Sequence, residues 1–356
     1  MSEELLERAR AGDREAFAAL IAPHQKELEL HCYRFLGSLQ DAEDALQDSL
    51  LAAWQHIHSF EGRASLRTWL YRVTTNRCLN ALRRRRRRPH VAWSSPDVEL
   101  PAPSGSGEVT WLEPYPDSLL PEGLNVAGPD ARYEAREAIS LAFVTALQVL
   151  PPRQRAVLIL RDVLGYPAAE VAELLEGTVE SVTSALKRAR SRMQRLTEDG
   201  AHRDPPPPPG SRAEQELAAR LARAYELGQV SLLVTLLTDD VRVSMPPMPF
   251  EYRGRELAAR FHAAVSFRQG RTYLLLPTRA NGQLAYGAYL RDQGGGAAPA
   301  MGLLVYTLSG DRIAGITRFE SSLLARFGLP AVWSPPPLPG LGSDAEVARS
   351  SSPPAS

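Results

Sequence analysis

Residues 165–193 read GYPAAEVAELLEGTVESVTSALKRARSRM and predict two short helices joined by a tight turn. Apolar residues recur at helical spacing over 171–175 and again over 182–193. The Gly-Thr pair at 177–178 interrupts this pattern where one helix ends and the next begins. The stretch is therefore either an ordinary amphipathic helix pair or a helix-turn-helix that reads DNA.

The second helix of this pair has a polar and basic outer face. Thr178 is its predicted N-cap, with Ser181 three residues further on. The side chains expected on its exposed face are Glu180, Ser181, Thr183, Ser184, Lys187, Arg188 and Arg190. Small polar residues thus come first and basic residues last, which suits a recognition helix that faces base edges while Lys and Arg hold phosphates. Solvated surface helices are also often basic, so this stretch alone leaves both interpretations open.

The composition of the 356-residue chain limits its class. Its length favours two or three domains, and its 44% of hydrophobic residues can form cores. The net charge is zero, yet six consecutive arginines at 83–88 show that charge is unevenly distributed. Cys32 and Cys78 each lie within a helical pattern and indicate neither a disulfide framework nor a metal site. With no signal-like apolar core and no run near the ~18 apolar residues of a membrane span, we expect a soluble cytoplasmic protein without cofactor or metal.

Changes in composition divide the chain into segments. The predicted segments are an all-helical domain (1–88), a Pro-rich linker containing WLEPYPD (89–130), a second all-helical domain (131–200), a second proline-rich linker (201–211), an α+β domain (212–331) and a disordered tail (332–356). In the α+β domain, helices precede strands separated by turn signals, as in an antiparallel meander. The polyproline run DPPPPPG is expected to act as a semi-rigid spacer.

The stretch DAEDALQDSLLAAW, residues 41–54, concentrates acidic residues in one neighbourhood of a helix. Asp41, Asp44 and Asp48 recur at i, i+3 and i+7, while intervening residues supply apolar positions. An acidic helix face usually means solvation, and taken alone this is the better interpretation. The alternative is a docking surface for a basic partner helix, because complementary charge steers encounter and fixes register.

Residues 60–88 combine aromatic and cationic side chains on one predicted helix. Four polar residues recur at i, i+4, i+8 and i+11 and so share a face: Arg72, Asn76, Asn80 and Arg83. Single-stranded nucleic acid is bound by positive grooves with aromatic platforms and amides that read unpaired edges. Trp69 and Tyr71 can instead belong to the core, and the arginines can be a charged helix end. Six like charges fray a helix unless a polyanion neutralises them, which favours nucleic acid.

These segments together resemble the sigma-70 family of RNA polymerase sigma factors, in its compact extracytoplasmic-function type. DAEDALQDSLLAAW and LRTWLYRVTTNRCLNALRRR are similar to region 2 of that family. LPPRQRAVLILRDVLGYPAAEVAELLEGTVESVTSALKRAR is similar to region 4. The motifs follow the family's order over roughly residues 1–197, and the match is closest to the SigG-like group. This resemblance favours the helix-turn-helix interpretation, and it implies a bacterial protein.

The resemblance implies a role for each motif. Residues implied to dock on the clamp helices of the polymerase β′ subunit are Asp41, Glu43, Asp44, Gln47 and Asp48. Residues implied to contact the −10 promoter element, where DNA is melted and a base is flipped, are Trp69, Arg72, Asn76, Arg77, Asn80 and Arg83. Residues implied to contact the −35 element are Thr178, Thr183, Ser184, Lys187, Arg188 and Arg190. The expected partners are thus core RNA polymerase (β′ and β subunits) and promoter DNA, and catalysis belongs to the polymerase.

The element order of residues 212–331 is similar to the SnoaL-like members of the cone-shaped NTF2-like fold. The expected fold is therefore two all-α domains followed by an α+β cone, which encloses an apolar pocket. Candidate lining residues are Asp240, Met245, Met248, Phe250, Tyr252, His262, Tyr286, Tyr289 and Arg318. SnoaL-type cyclases use a pocket acid, and neither Asp240 nor Asp292 aligns with one, so an enzyme with cyclase or isomerase activity is the less favoured alternative. A small-molecule ligand of the cone is kept as a further partner.

The linker motif WLEPYPD, residues 111–117, looks like one found in extracytoplasmic-function sigma factors with such a C-terminal domain. One explanation is that its aromatic and proline residues simply pack on the nearest domain. The other is a regulatory contact through Trp111, Pro114, Tyr115 and Asp117. Both require an ordered motif, because its aromatic side chains would otherwise expose large apolar surfaces. We expect the cone to regulate the sigma domains from within one chain, where tethering gives a millimolar-scale effective concentration, in a direction the sequence leaves open.

Overall fold

A computed structural model describes residues 2–84, 99–106, 112–121, 137–197, 203–291 and 296–334 of the chain. Over these residues the chain forms an N-terminal helical domain (2–84), a middle helical domain (137–197) and a C-terminal domain of sheet and helices (203–334). This is the expected fold class. None of the helices in the described ranges is both long and apolar enough to cross a bilayer.

The N-terminal domain is helical throughout, with short connections. Its helices are α1 (Ser2–Arg10), α2 (Arg14–Ile21), α3 (Gln25–Leu36), α4 (Leu39–His56) and α5 (Leu66–Arg84). The carboxylate of Asp13 caps α2 by accepting from two backbone amides, and Gly37 ends α3 with a left-handed φ of 68°. Leu28, Phe35 and Leu70 pack in the centre of the domain. The sequence's helical spacing therefore corresponds to a packed bundle.

The middle domain contains the helix pair predicted from residues 165–193. Its helices are α6 (Leu141–Val149), α7 (Pro152–Leu158), α8 (Ala168–Leu174) and α9 (Val179–Thr197). A π-helical turn, Ile159–Val163, extends α7. Ser140 caps α6 by accepting from the amide of Phe143.

The C-terminal domain is a curved sheet with helices on one face. Its helices are α10 (Arg212–Leu227), α11 (Val230–Thr235) and α12 (Arg255–Phe261). The strands are β1 (Gly105–Ser106, from the linker), β2 (Leu237–Ser244), β3 (Phe250–Arg253), β4 (Tyr273–Ala280), β5 (Gln283–Leu290), β6 (Ala298–Ser309), β7 (Arg312–Phe319) and β8 (Val332–Trp333). Their order is β1-β3-β2-β7-β6-β5-β4, with β8 on β6; β2 and β7 are parallel and the other pairs antiparallel. A 3₁₀ segment, Ser321–Phe327, follows β7.

The two faces of this sheet have different partners. Tyr286 and Tyr306 pack with Leu221 of α10 on the inner face. Ala285 and Val305, which alternate with them along β5 and β6, belong to a second cluster on the outer face. That second cluster also contains the cores of both helical domains and the buried linker residues Leu112 and Tyr115. The three domains therefore share one continuous apolar core rather than standing apart.

The structure corrects part of the pocket predicted for the cone. Asp240 is exposed on β2, so the prediction that it lines an interior pocket is wrong. Tyr289 points to the outer face, where its ring packs on Trp333 and its hydroxyl donates to Pro330 O at 2.8 Å. Tyr252 and His262 are buried inside, as expected. Asp292 lies outside the described residues.

The proline-rich linker is attached to the cone where it begins. Asp204 N donates to Ser309 Oγ at 3.0 Å, and Gly310 N donates to Asp204 O at 3.3 Å. The start of the spacer is thus held at the turn between β6 and β7. The linker between the helical domains also reaches the sheet, because Gly105 and Ser106 pair with the edge strand β3. The sequence pattern predicted neither attachment.

Candidate DNA and protein interfaces

The acidic side chains of α4 form a partly exposed surface. Asp44, Gln47 and Asp48 are exposed, while Asp41 and Glu43 are half-buried. Leu51, one turn beyond Asp48, is 57% exposed and gives the surface an apolar end. We call this surface, residues 41–51, the acidic face. An acidic surface with an exposed leucine is complementary in charge and polarity to a basic amphipathic helix.

The linker caps the helix that carries the acidic face. Glu113 Oε2 accepts from Leu39 N at 2.8 Å and from Ser38 Oγ at 3.0 Å, at the start of α4. A carboxylate at this end of a helix satisfies free amides and interacts favourably with the helix dipole. The linker therefore contributes directly to the geometry of α4.

The 3₁₀ segment of the C-terminal domain contacts the first turns of α4. Arg326 forms an ion pair with Glu43, and its Nη2 donates to Gln40 Oε1 at 3.2 Å. Burial and the nearby Glu43 carboxylate raise the pKa of Glu29, and the positive charge of Arg326 opposes this shift. A cavity of about 170 Å³ remains between this segment and the start of α4. A cation of the chain itself thus occupies one end of the acidic face.

Helix α5 divides its predicted DNA-contacting residues between core and surface. Trp69 is half-buried with its ring 5.3 Å from that of Phe60, so it has a packing role whatever else it does. Tyr71 is buried beneath the guanidinium of Arg67, 4.8 Å from its ring. These positions match the core interpretation of the two aromatics.

The polar residues of α5 lie along its outer side. Arg72 and Arg83 are exposed, and Asn76, Arg77 and Asn80 are half-buried. Arg83 Nη1 donates to Asn80 Oδ1 at 3.3 Å, so these two side chains are already aligned. The rest of the arginine run, 85–88, lies outside the described residues.

Helix α5 is in direct contact with the helix-turn-helix of the middle domain. Arg72 Nη2 lies 3.5 Å from the carboxylate of Glu176, which has a left-handed φ of 50° in the turn between α8 and α9. The rings of Tyr71 and Tyr166 meet edge to face at 6.0 Å. The two predicted DNA-reading helices therefore belong to a single packed assembly. No sequence pattern indicates this contact, which depends on how the domains pack.

The helix-turn-helix has the geometry that its sequence predicts. The buried apolar residues of the two helices pack in the core of the middle domain: Val171 and Leu174 from α8, and Val182 and Leu186 from α9. Thr178 and Ser181 form a reciprocal cap: Ser181 N donates to Thr178 Oγ1, and Thr178 N to Ser181 Oγ, both at 3.2 Å. The predicted −35 residues Thr178, Thr183, Ser184, Lys187, Arg188 and Arg190 are all exposed.

Three of these residues have other contacts, one of them Thr183, whose hydroxyl donates to Val179 O at 2.9 Å. The hydroxyl of Thr178 accepts the amide of Ser181 and so serves the cap. Arg190 forms an ion pair with Asp162 at 2.7 Å, and this carboxylate raises the pKa of Arg190. Asp162 lies in the turn that extends α7, so the pair also fixes α9 to its own domain. Any phosphate contact of Arg190 would compete with that pair.

Residues 112–117 of the WLEPYPD motif are buried or half-buried where the domains meet. Tyr115 N donates to Asn281 Oδ1 at 2.7 Å, and Asn281 N donates to Tyr115 O at 2.8 Å. The Asn281 amide nitrogen donates to Tyr33 Oη at 2.9 Å and to Ile139 O at 2.7 Å. We call this set of contacts the Asn281 node. Through it one side chain of the C-terminal domain joins the linker, the N-terminal domain and the middle domain.

The other predicted linker residues surround this node. Pro114 is buried, and Asp117 Oδ1 accepts from Gly282 N at 2.8 Å. Tyr33 Oη donates to Glu113 O at 2.8 Å. Trp111 lies outside the described residues. Pro114, Tyr115 and Asp117 are therefore brought together at an interface with the cone.

Two buried arginines join the helical domains, and sequence reasoning missed both. Arg34 Nε donates to Ala138 O at 3.0 Å, and burial lowers the pKa of Arg34 to about 10. Arg155 donates to Phe35 O and, at 2.8 Å, to Gln148 Oε1. Buried charges of this kind are strongly destabilising when they lose their partners. A helical arginine flanked by apolar residues, as in ELHCYRFL and RQRAVL, was the available signal.

The described ranges contain no cluster of three or more His, Cys, Asp or Glu that is suited to a metal ion. The candidate interfaces in these ranges are the acidic face, the basic and amide-bearing helix α5 and the helix-turn-helix.

Comparison with known proteins places these features in a family. Residues 20–88 match the family described as sigma-70 region 2, and residues 140–193 match sigma-70 region 4. The ECF RNA polymerase sigma factor SigG of Mycobacterium tuberculosis (strain H37Rv) is 40% identical over 328 residues, which are 90% of this chain and 85% of that protein. SigM of the same strain is 32% identical over 193 residues, 54% of this chain and 83% of SigM.

Among solved structures, the M. tuberculosis extracytoplasmic function sigma factor SigJ superposes with a TM-score of 0.55. The match covers 88% of this chain and 99% of that one at 22% identity, so it shows a shared fold. The overlap extends over helical and C-terminal domains alike.

Proposed function

This chain belongs to the extracytoplasmic-function sigma factors of the sigma-70 family, and from that premise we propose how its surfaces recruit core RNA polymerase to a promoter. The acidic face of α4 docks on the polymerase β′ subunit. Helix α5 contacts the −10 element, and α9 lies in the major groove of the −35 element. Binding to polymerase and DNA places the protein in the bacterial cytoplasm.

We further propose that the structure is a closed state that opens when the promoter is bound. The observation that supports this proposal is the 3.5 Å contact between Arg72 of α5 and Glu176 of the helix-turn-helix. Elements named −35 and −10 are about 25 base pairs apart, which corresponds to ~85 Å of B-DNA. The 19 residues of α9 extend over only ~28 Å. While α5 and the helix-turn-helix remain in contact, they therefore cannot reach both promoter elements at once.

The C-terminal domain stabilises this closed state by contact. It supplies the Asn281 node, it pairs with linker residues Gly105 and Ser106, and it places Arg326 at the acidic face. Each contact must be released before the helical domains can separate or the acidic face can dock fully. Opening then depends on the difference in affinity of polymerase and promoter for the two states.

Run-off transcription with core polymerase tests this proposal. We expect Asn281→Gly and Arg326→Ala each to increase specific transcription from a promoter selected by the wild-type chain. Arg212→Ala is the matched control, since it removes an exposed arginine of the same domain whose ion pair, with Glu216, lies within its own helix.

The outcomes separate the two parts of the proposal. If wild type and both variants fail to bind core polymerase, the assignment of the acidic face is wrong. If all bind and transcribe equally, the C-terminal domain does not restrain the sigma domains. Reduced transcription with intact core binding would mean that the domain assists initiation.

We propose that the C-terminal domain acts by contact rather than by turnover of a small molecule. Of the two acids considered for catalysis, Asp240 is exposed on β2 and Asp292 lies outside the described residues. The inner residues Tyr252, His262 and Tyr286 are packed in an apolar cluster with Phe261. These positions support a structural interior and favour neither a ligand nor a cyclase reaction.

A further inference from the structure

Val179 is an exposed apolar side chain in the first turn of α9. It is 44% exposed, and it is one of a few large hydrophobic side chains that the described residues leave in solvent. The next apolar residues along the helix, Val182 and Leu186, are buried in the core of the middle domain. Stability of the domain therefore gives no reason for an apolar residue at position 179.

Thr183 lies one turn further along on the same edge of the helix. Its hydroxyl donates a 2.9 Å hydrogen bond to the carbonyl oxygen of Val179. Because the hydroxyl is engaged within the helix, the γ-methyl group is what Thr183 offers for contact. We call Val179 and Thr183 together the apolar edge.

The apolar edge lies among residues suited to the DNA major groove. Ser184 follows it, and Lys187 and Arg188 add exposed positive charge in the next turn, complementary to phosphates. The first turns of a recognition helix are those that reach base edges. In the major groove thymine alone carries a methyl group, and apolar side chains are the groups that contact it.

We propose that the apolar edge reads thymine methyl groups in the −35 element. Val179 and Thr183 then act as specificity-determining residues by apolar contact, while the basic residues hold the backbone. This inference rests on the proposed role of α9 as the −35 reader. It adds the chemical group that is recognised.

Deoxyuridine provides the test, because it lacks only the methyl group of thymidine and pairs in the same way. The full-length chain bound to core polymerase first selects duplexes from a library randomised across the promoter region. The selected −35 element is then synthesised with deoxyuridine at each thymidine of either strand in turn. At a position facing the apolar edge we expect binding to weaken about fourfold, the change that corresponds to one buried methyl group.

Three variants assign the effect to residues. At the base position that faces Val179, the Val179→Ala variant is expected to bind DNA carrying thymidine and DNA carrying deoxyuridine equally. Thr183→Ser keeps the hydroxyl, removes only the methyl group, and is expected to do the same at a neighbouring position. Leu196→Ala removes a 40% exposed side chain from the last turn of the same helix and should retain the full deoxyuridine effect. Thermal unfolding of all three verifies that the fold is unchanged.

The possible failures are distinguishable. If the holoenzyme selects no upstream element, the proposed function of α9 fails and the inference with it. If it selects an element in which deoxyuridine costs nothing, or one without thymidine on either strand, α9 remains the reader and the methyl inference is overturned. If Val179→Ala keeps the deoxyuridine effect, another group reads the methyl and the assignment is wrong.

Discussion

Asn281 is the residue at which the separate parts of the chain are joined. It is fully buried and has a left-handed φ of 56°, which asparagine tolerates and glycine prefers. Its side chain makes three hydrogen bonds, each to a different segment. Sequence alone marks Asn281-Gly282 as a hairpin turn, which it is, but gives no sign of these distant partners.

Replacing Asn281 by glycine keeps the turn and removes only its side-chain contacts. The variant leaves Ile139 O and the amide of Tyr115 without their partners, so we expect the closed state to lose about 2 to 4 kcal/mol. Native-state hydrogen exchange of the Tyr115 amide, and of the Glu113 amide that donates to Gly37 O, should report the loss as faster exchange. Tyr33→Phe removes one partner of the node and should have a smaller effect. Unchanged exchange in both variants would show that apolar packing alone holds the domains together.

His262 makes the C-terminal domain sensitive to acid. Burial lowers the pKa of His262 to about 4 from an ordinary 6.5, so the folded protein keeps the imidazole neutral. Between those values the unfolded chain binds a proton that the folded chain does not. Stability is therefore present at neutral pH and is lost as the pH falls from 6.5 towards 4.

His262→Gln tests this acid sensitivity. From pH 7 to pH 5 a buried neutral histidine costs on the order of 2 kcal/mol of folding free energy. Urea unfolding at both pH values should show a smaller pH difference for the variant than for the wild type. Part of the difference should persist, because burial also lowers the pKa of His31 in the N-terminal domain, to about 3. Equal pH differences in the two proteins would show that His262 is accessible to protons in the folded state.

Helix α4 depends on a residue from another segment for its cap. Ser38 caps the helix locally, because its hydroxyl accepts from Asp41 N at 3.3 Å. Glu113 adds a charged acceptor at 2.8 Å from Leu39 N, which no local pattern reveals because it lies 74 residues away. We expect Glu113→Gln to lower the free energy of unfolding of the N-terminal domain, measured by thermal denaturation, by about 1 kcal/mol. Glu173→Gln, which neutralises an exposed acid of α8, is the control, and an equal loss in both variants would argue against the cap.

Elements were predictable from sequence where their cause is local. The caps at Ser140, Thr178 and Ser211, and the strands after residue 272, follow from periodicity and turn residues within a few positions. Strand β1 and the 3₁₀ segment at 321–327 were not predicted, because each exists through contact with a distant partner. The exposure of Asp240 was missed for a different reason, because the sequence of β2 does not reveal which of its faces lies inside the domain.

At the scale of the molecule, the sequence predicted the domains but not how they pack. The resemblance of each helical segment to a sigma region assigned the predicted contact residues to the segments that form α4, α5 and α9. It gave no indication that α5 and the helix-turn-helix meet through Arg72 and Glu176, or that Leu112 and Tyr115 enter a core shared by all domains. Packing between domains depends on complementary surfaces assembled from many segments, and no window of sequence contains them.

The closed arrangement predicts that the distance between the two helical domains increases greatly when the protein binds core polymerase and promoter. Both native cysteines, Cys32 and Cys78, are fully buried, and burial raises the pKa of the Cys32 thiol, so thiol-reactive dyes should spare them. The double variant Ser59→Cys, Leu196→Cys places dyes at exposed positions of the N-terminal and middle domains. We expect efficient energy transfer in the free chain and a marked loss once core polymerase and promoter are both bound, because the two elements are ~85 Å apart.

The same pair of dyes also shows what keeps the molecule closed. Asn281→Gly should lower transfer efficiency before any partner is added, since it removes the contacts that join the C-terminal domain to both helical domains. Arg212→Ala should leave the efficiency at the wild-type value. If the wild-type chain shows low transfer when free, the helical domains are already apart in solution. The C-terminal domain would then act on a step after domain separation, and the Arg72–Glu176 contact would not be the barrier to promoter binding.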